Sequence, residues 1–191
     1  MSIVLGFATK AEAIIMSDGR VLDNNTKEII SENCNKTHRI NQNVILGHSG
    51  IKEINEHVIQ NFYQIYGTRI STVNADEVTH ILCDISKQLI HSLSQPFPLQ
   101  MIIAGIDENH NITLNAFSKS EEFQIRKMVP DSRSCSYMSL DPDSIAGKNI
   151  YSQFLANGNL TFREKMINCI TYVSTIDPTV NSTIYELSVK K

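Results

Sequence analysis

Apolar positions along the chain first recur with a short period. Residues 2–9 (SIVLGFAT) and 11–17 (AEAIIMS) are short apolar runs with no space between them for a long loop, which predicts a β-hairpin turning about Lys10. Residues 27–31, 35–40 and 43–48 continue in the same style, so the first quarter reads as antiparallel sheet. At Gly50 the period lengthens: Ile51, Ile54, Val58, Phe62 and Ile65 recur at helical spacing until Gly67 stops them. A second helix is predicted from Ala75 to about Leu93, with Asn74 and Glu77 spaced as N-cap and N3 and a stripe of Val78, Ile81, Leu82, Ile85 and Leu89. Strand patterning resumes at 99–106, turns through 107–111, returns over ITLNAFS and supplies a further strand or two between Phe123 and Met138. A third helix is expected over about 144–156, ending at Asn157-Gly158. A fourth runs from Thr161, which forms a capping-box pattern with Glu164, to about Ile176, and 183–189 closes as a strand.

The order is strands, two helices, strands, two helices, strand. Two antiparallel sheets with helices packed outside them satisfy it, an α+β class with a four-layer αββα arrangement. No linker, low-complexity tract or internal repeat divides residues 1–191, which are expected to form a single domain. Composition narrows the function classes. A net charge of −3 with 19% charged residues leaves no electrostatic footprint for nucleic acid. No run approaches the ~18 apolar residues that would span a bilayer. The opening residues lack a basic segment followed by an apolar one, so a cytoplasmic protein without a membrane partner is expected. Cys34, Cys83, Cys135 and Cys169 are scattered without a C-x-x-C pair or a histidine at ligand spacing, which reads as reduced thiols. His57, His80 and His91 lie on predicted helices without i, i+4 partners; no metal and no cofactor is expected.

Candidate chemistry begins at the first hairpin. With a turn about Lys10, paired residues have numbers summing to about 20, and Ser2 falls opposite Asp18 with Cβ atoms roughly 5 Å apart. A methionine ahead of a small residue such as serine is normally trimmed, which would put a hydroxyl and a free α-amine on one residue. An α-amine with a reference pKa of about 7.7–8.0 is a far better base near neutrality than a lysine at about 10.4. Nucleophile and general base would then arrive together at Ser2.

The same residues carry a resemblance. A hydroxyl residue heading the first strand, S-D-x-R closing the second, an N-x-K-T-x-x-I strand and I-L-G-x-S-G opening a helix resemble the proteasome β-subunit family and its simpler bacterial relatives, among the N-terminal-nucleophile hydrolases. The likeness is dense over residues 2–60 and continues through M-I-I-A-G-I-D-E and the I-D-P near the end. It implies Ser2 as nucleophile, Asp18 as the acid that orients a lysine, and Lys36 as that lysine, whose charge would lower the pKa of the Ser2 amine. It implies Gly50 as the oxyanion-hole residue, a role that a glycine at a strand-to-helix turn can fill with its backbone N–H. It implies Asp177 as the acid supporting the terminal amine. His48, two residues from Gly50, is a candidate for the cleft wall, and His38 is expected to point outward from its strand.

The chain also departs from the family pattern. Serine stands where threonine is usual. Val180-Asn181-Ser182 replaces the Ser-Gly-Gly that usually follows the acid, and the stretch from Ser139 to Ser144 replaces a glycine- and serine-rich segment, so a supporting serine has no assignable counterpart. The resemblance implies cleavage of peptide or amide bonds through an acyl-enzyme, with a peptide or protein substrate, assembly into a homo-oligomeric ring or stacked rings, and an ATP-dependent unfoldase as a candidate partner. Two alternatives stay open at this point: a non-catalytic assembly protein on the same fold, and a small-molecule amidase or acylase.

Overall fold

The computed structural model describes residues 2–23, 25–93, 97–140, 147–156 and 158–191, with the side chains of 147–150 outside that description. Strands β1 (Val4–Ala8) and β2 (Glu12–Asp18) form the first hairpin, and β3 (Val21–Leu22) and β4 (Ile29–Ser31) form a separate short ribbon. Strands β5 (Thr37–Asn41) and β6 (Val44–Gly50) lead into helices α1 (Lys52–Tyr66) and α2 (Ala75–Ser92). Then come β7 (Leu99–Ile106), β8 (Ile112–Ser118), β9 (Arg126–Met128) and β10 (Ser136–Leu140), helices α3 (Gly147–Ala156) and α4 (Phe162–Ile176), and β11 (Ile184–Lys190).

All strand pairing is antiparallel among the described residues, in one sheet of order β10-β1-β2-β11 and another of order β5-β6-β7-β8-β9. The strands read over the first quarter are shared between the two sheets: β1 and β2 belong to one, β5 and β6 to the other. Periodicity reports that a segment is a strand and gives no information on which strand it joins.

The strand period of two explains the layers. Ile3, just before β1, and Leu5 and Phe7 on it pack with Met16, Tyr151, Met166, Ile170 and Val173 against α3 and α4. Val4 and Ala8 face the other way and meet Ile15, Ile45, Ile102, Ala104 and Leu114 between the sheets. Val44 and Leu46 of β6 turn outward to Val58, Phe62, Val78 and Leu82 of α1 and α2. Strands covered on both faces need apolar residues at every position, which is why β1 reads as an unbroken run.

Both predicted capping boxes form. The Asn74 side chain accepts from the Glu77 N–H at 3.0 Å while the Asn74 N–H donates to Glu77 Oε2 at 2.9 Å, and Thr161 with Glu164 repeats the arrangement at α4. The expected start of the third helix at 144–146 and its end at Asn157 lie outside the described residues. One stripe position fails: Ile65 is 64% exposed. The buried face of α1 runs through Asn55, Val58, Ile59 and Phe62; Ile65 keeps the angle of Val58 but lies in the last turn of the helix, where it lines only a shallow groove with Ile85 and Leu89 of α2.

The sheets approach closely at Gly47, where a Cβ would come within 2.7 Å of both the Ile15 and the Val4 side chains. Gly47→Ala is expected to overpack this contact and cost about 1–3 kcal/mol. Urea unfolding at neutral pH measures it, and an unchanged midpoint would mean that the sheets can separate freely there.

Candidate active site

The first hairpin closes through Thr9 N–H to Glu12 C=O at 2.8 Å, so its loop is the Lys10-Ala11 pair and paired residues sum to 21. This corrects the expected register by one. A two-residue loop is symmetric about a peptide bond, whereas a turn centred on Lys10 would have given an even sum. Asp18 accordingly faces Ile3. The Asp18 N–H donates to Ile3 C=O at 3.2 Å, and Ile3 N–H donates to Asp18 Oδ1 at 3.1 Å. The carboxylate thus extends the ladder to the residue beside Ser2. Ser2 in turn is held from the opposite sheet, its C=O accepting from Ser49 Oγ at 3.1 Å.

Lys36 reaches this point from the loop before β5. Its Nζ donates to Asp18 Oδ1 at 2.8 Å and to Arg20 C=O at 2.7 Å, and Arg20 N–H donates to Asp18 Oδ2 at 2.9 Å. Asp18 and Lys36 are buried at 0% and 3% exposure. Burial pushes the Asp18 carboxyl up and the Lys36 ammonium down, and each charge opposes the other's shift. An ammonium carries three donors. The two bonds described leave one for a group in the cleft, which Ser2 and Lys36 line together.

That cleft has a volume of about 600 Å³ and is also lined by Val21, Leu22, His48, Gly50 and Thr179. Gly50 ends β6 at φ +114°, and a Cβ there would lie 2.2 Å from Pro98 C=O, so only glycine fits. Strand alternation orients its amide. His48 N–H donates toward β5, to Lys36 C=O, and Ile51 N–H donates toward β7, to Pro98 C=O. Gly50 N–H, two residues after His48, points to the same side as His48 N–H. Since β5 begins only at Thr37, that side is the cleft at the level of Gly50.

Asp177 sits at the C-cap of α4, buried, with Oδ1 accepting from Thr179 N–H at 2.7 Å. Thr179, not Asp177, is among the residues lining the cleft. The structure therefore brings Ser2, Lys36 and Gly50 to one cleft with Asp18 beneath them, and sets Asp177 behind Thr179. Ser139 lies on β10 opposite Leu5, while 141–146 are outside the described residues.

Other contributors were not legible as such. Asn181 accepts from Gly19 N–H at 2.9 Å and donates to Glu32 C=O at 2.8 Å, and Glu32 pairs with Arg20 at 2.9 Å. These bonds hold the β2 exit against the segment after α4, and no local spacing announces them. His38, expected to point outward, is instead half-buried with its ring stacked on His48 and its Nε2 3.2 Å from His48 Nε2. Among the described residues no cluster of three or more His, Cys, Asp or Glu could hold a metal ion.

A family model described as proteasome subunit matches residues 2–120. The chain belongs to the proteasome subunit family. Among curated proteins, none matches this chain in sequence. Among solved structures it is similar to eukaryotic HslV from Trypanosoma brucei, with a TM-score of 0.65 over 99% of each chain at 11% identity. That likeness shows the fold, the α+β architecture of an N-terminal-nucleophile hydrolase, and family membership supports an N-terminal-nucleophile peptidase at the family level.

Two predictions test the electrostatics. Asp18→Asn should strand the buried ammonium and cost about 3–5 kcal/mol, whereas Asp18→Asn combined with Lys36→Met should recover most of that loss. A denaturation cycle decides it, and simple additivity would mean that the two groups are not coupled. Burial, reinforced by His38, Lys36 and Lys52, depresses His48 from 6.5 to about 3. The unfolded chain therefore takes up this proton first. The stability contribution is fully present above about pH 6.5 and is lost as pH falls toward 3, up to about 4–5 kcal/mol. Burial also lowers His38, against an opposing Glu56, and adds to the same trend, while the raised Asp18 opposes it in the acid range. His48→Gln should flatten the decline in urea midpoint between about pH 7.5 and about pH 4.5, and an unaltered slope would count against it.

Proposed function

We propose that this proteasome-family protein is a peptidase whose nucleophile is the Ser2 hydroxyl, exposed as the chain terminus once Met1 is removed. The observation that carries the reading is the meeting of Ser2, the Lys36–Asp18 pair and the Gly50 amide at one cleft. The Ser2 α-amine accepts the Oγ proton, directly or through a water, as Oγ bonds to the scissile carbonyl carbon. The adjacent Lys36 charge favours the unprotonated form of that amine and stabilises the anion developing nearby. The carbonyl oxygen becomes an oxyanion facing the Gly50 N–H. As the C–N bond breaks, the amine returns its proton to the leaving nitrogen, and an ester to Ser2 remains. Water then adds to the ester with the amine again taking the proton, and the carboxylic acid and Ser2 hydroxyl are released. Asp177, through Thr179, supports the cleft wall beside the terminus.

Family membership supports assembly into a homo-oligomeric ring or stacked rings, with an ATP-dependent unfoldase as the partner that delivers protein substrate. Among the described residues no helix is long and apolar enough to cross a membrane, and a cytoplasmic location is part of this proposal.

Intact mass of the purified protein should be lower by one methionine residue. Ser2→Ala and Lys36→Ala should each reduce hydrolysis of a fluorogenic peptide by more than about 10³-fold with the oligomer intact. A full-length mass together with no labelling by a hydroxyl-directed covalent probe would instead make the protein a non-catalytic assembly subunit.

A further inference from the structure

Asn55 lies on the buried face of α1, at the position where the stripe of Val58, Ile59 and Phe62 calls for an apolar residue, and it is 0% exposed. Its Nδ2 donates to Ile51 C=O at 2.9 Å and to Ser49 C=O at 3.3 Å. Its Oδ1 is buried without a hydrogen-bond partner among the described residues. The two carbonyls on one side fix which end of the amide faces β6.

Neither carbonyl needs these bonds to be satisfied. Ile51 C=O already accepts the first helical bond, from Asn55 N–H at 3.1 Å. Ser49 is registered with Gln100, and because Ile51 N–H bonds to Pro98, ladder alternation makes Ser49–Gln100 a hydrogen-bonded pair. Asn55 therefore adds second bonds to two carbonyls while leaving its own oxygen unpaired. As a stability device that is a poor exchange. As an orienting device it is well placed, since its two contacts fall on either side of Gly50.

We infer that Asn55 is a positioning residue for the oxyanion donor: by adding a second bond to Ser49 C=O on the β7 side of β6, where the ladder is about to end, it aims the Gly50 N–H to the opposite side, into the cleft. In a trans peptide the C=O and N–H point in opposite directions, so fixing the first fixes the second. Gly50 is where such a constraint matters. It has no Cβ and sits at φ +114°, so rotation of the flanking peptide meets little steric resistance from the residue itself. The inference rests on the reading of Ser2 as nucleophile and adds a residue to that site.

The test uses the processed, assembled protein with Asn55→Leu, which keeps the side-chain size, and Asn55→Ala, which leaves space. kcat is expected to fall about 10- to 100-fold with KM within about twofold, because the loss falls on the transition state. Affinity for a peptide aldehyde, which forms a tetrahedral adduct, should weaken by a similar factor of about 10 to 100, while affinity for the matching peptide amide stays the same. Unchanged kcat in both variants, or equal loss of aldehyde and amide binding, overturns the assignment. Failure of both variants to fold also overturns it, because it would make Asn55 a stability residue. An unmodified protein that neither turns over peptide nor forms the adduct sinks the peptidase reading itself, a result separate from normal turnover in the variants.

Discussion

Asp18 and Lys36 carry opposite charges 2.8 Å apart with almost no access to water. Each would be strongly disfavoured alone in that position, so the surrounding chain must bring every remaining partner to them. It does so with the backbone: Ile3 N–H and Arg20 N–H complete the carboxylate, and Arg20 C=O takes a second proton of the ammonium. The ends of β1 and β2 and the loop before β5 are thereby fixed relative to one another. A cleft built around this pair has its positive charge set in advance, with no side-chain search required when a substrate arrives.

The layered core explains why these parts share a location. Sandwiched sheets can bury both faces of β1, β2, β6 and β7 only if glycines such as Gly47 let them close, and closing them brings Ser49 of β6 against the Ser2 carbonyl. The segment after α4 then lies over the exit of β2, where Asn181 joins Gly19 to Glu32. The site is a corner where several layers end. It contains few groups that could move independently, and the most permissive backbone point in it, Gly50, is braced by a buried amide on the neighbouring helix.

Much of the fold was legible because local chemistry repeats. The 99–106 run is β7 as read, and the Asn74 and Thr161 caps appear with both of their reciprocal bonds. The failures share a cause. The register was off by one because loop length depends on how Thr9 and Glu12 meet. Ile65 continued the stripe into the last turn of α1, where little of the core remains to cover it. His38 was turned inward by His48, a residue on the neighbouring strand. Of the candidate site, Ser2, Asp18, Lys36 and Gly50 could be named from motif order, whereas the roles of Asn181, Glu32, Thr179 and Asn55 depend on neighbours that no spacing reveals.

The sequence by itself determined the elements, their caps, the alternation that makes two-sided strands, and the presence of an acid, a lysine and a glycine in family order. Those properties arise from residues within a few positions of each other. Only the tertiary structure decided which sheet each strand joins, that Ile3 rather than Ser2 faces Asp18, and which way the Gly50 amide points. These depend on contacts between segments distant along the chain, such as Gly19 with Asn181, 162 residues apart, and such pairings are selected by packing and hydrogen-bond satisfaction across the whole core.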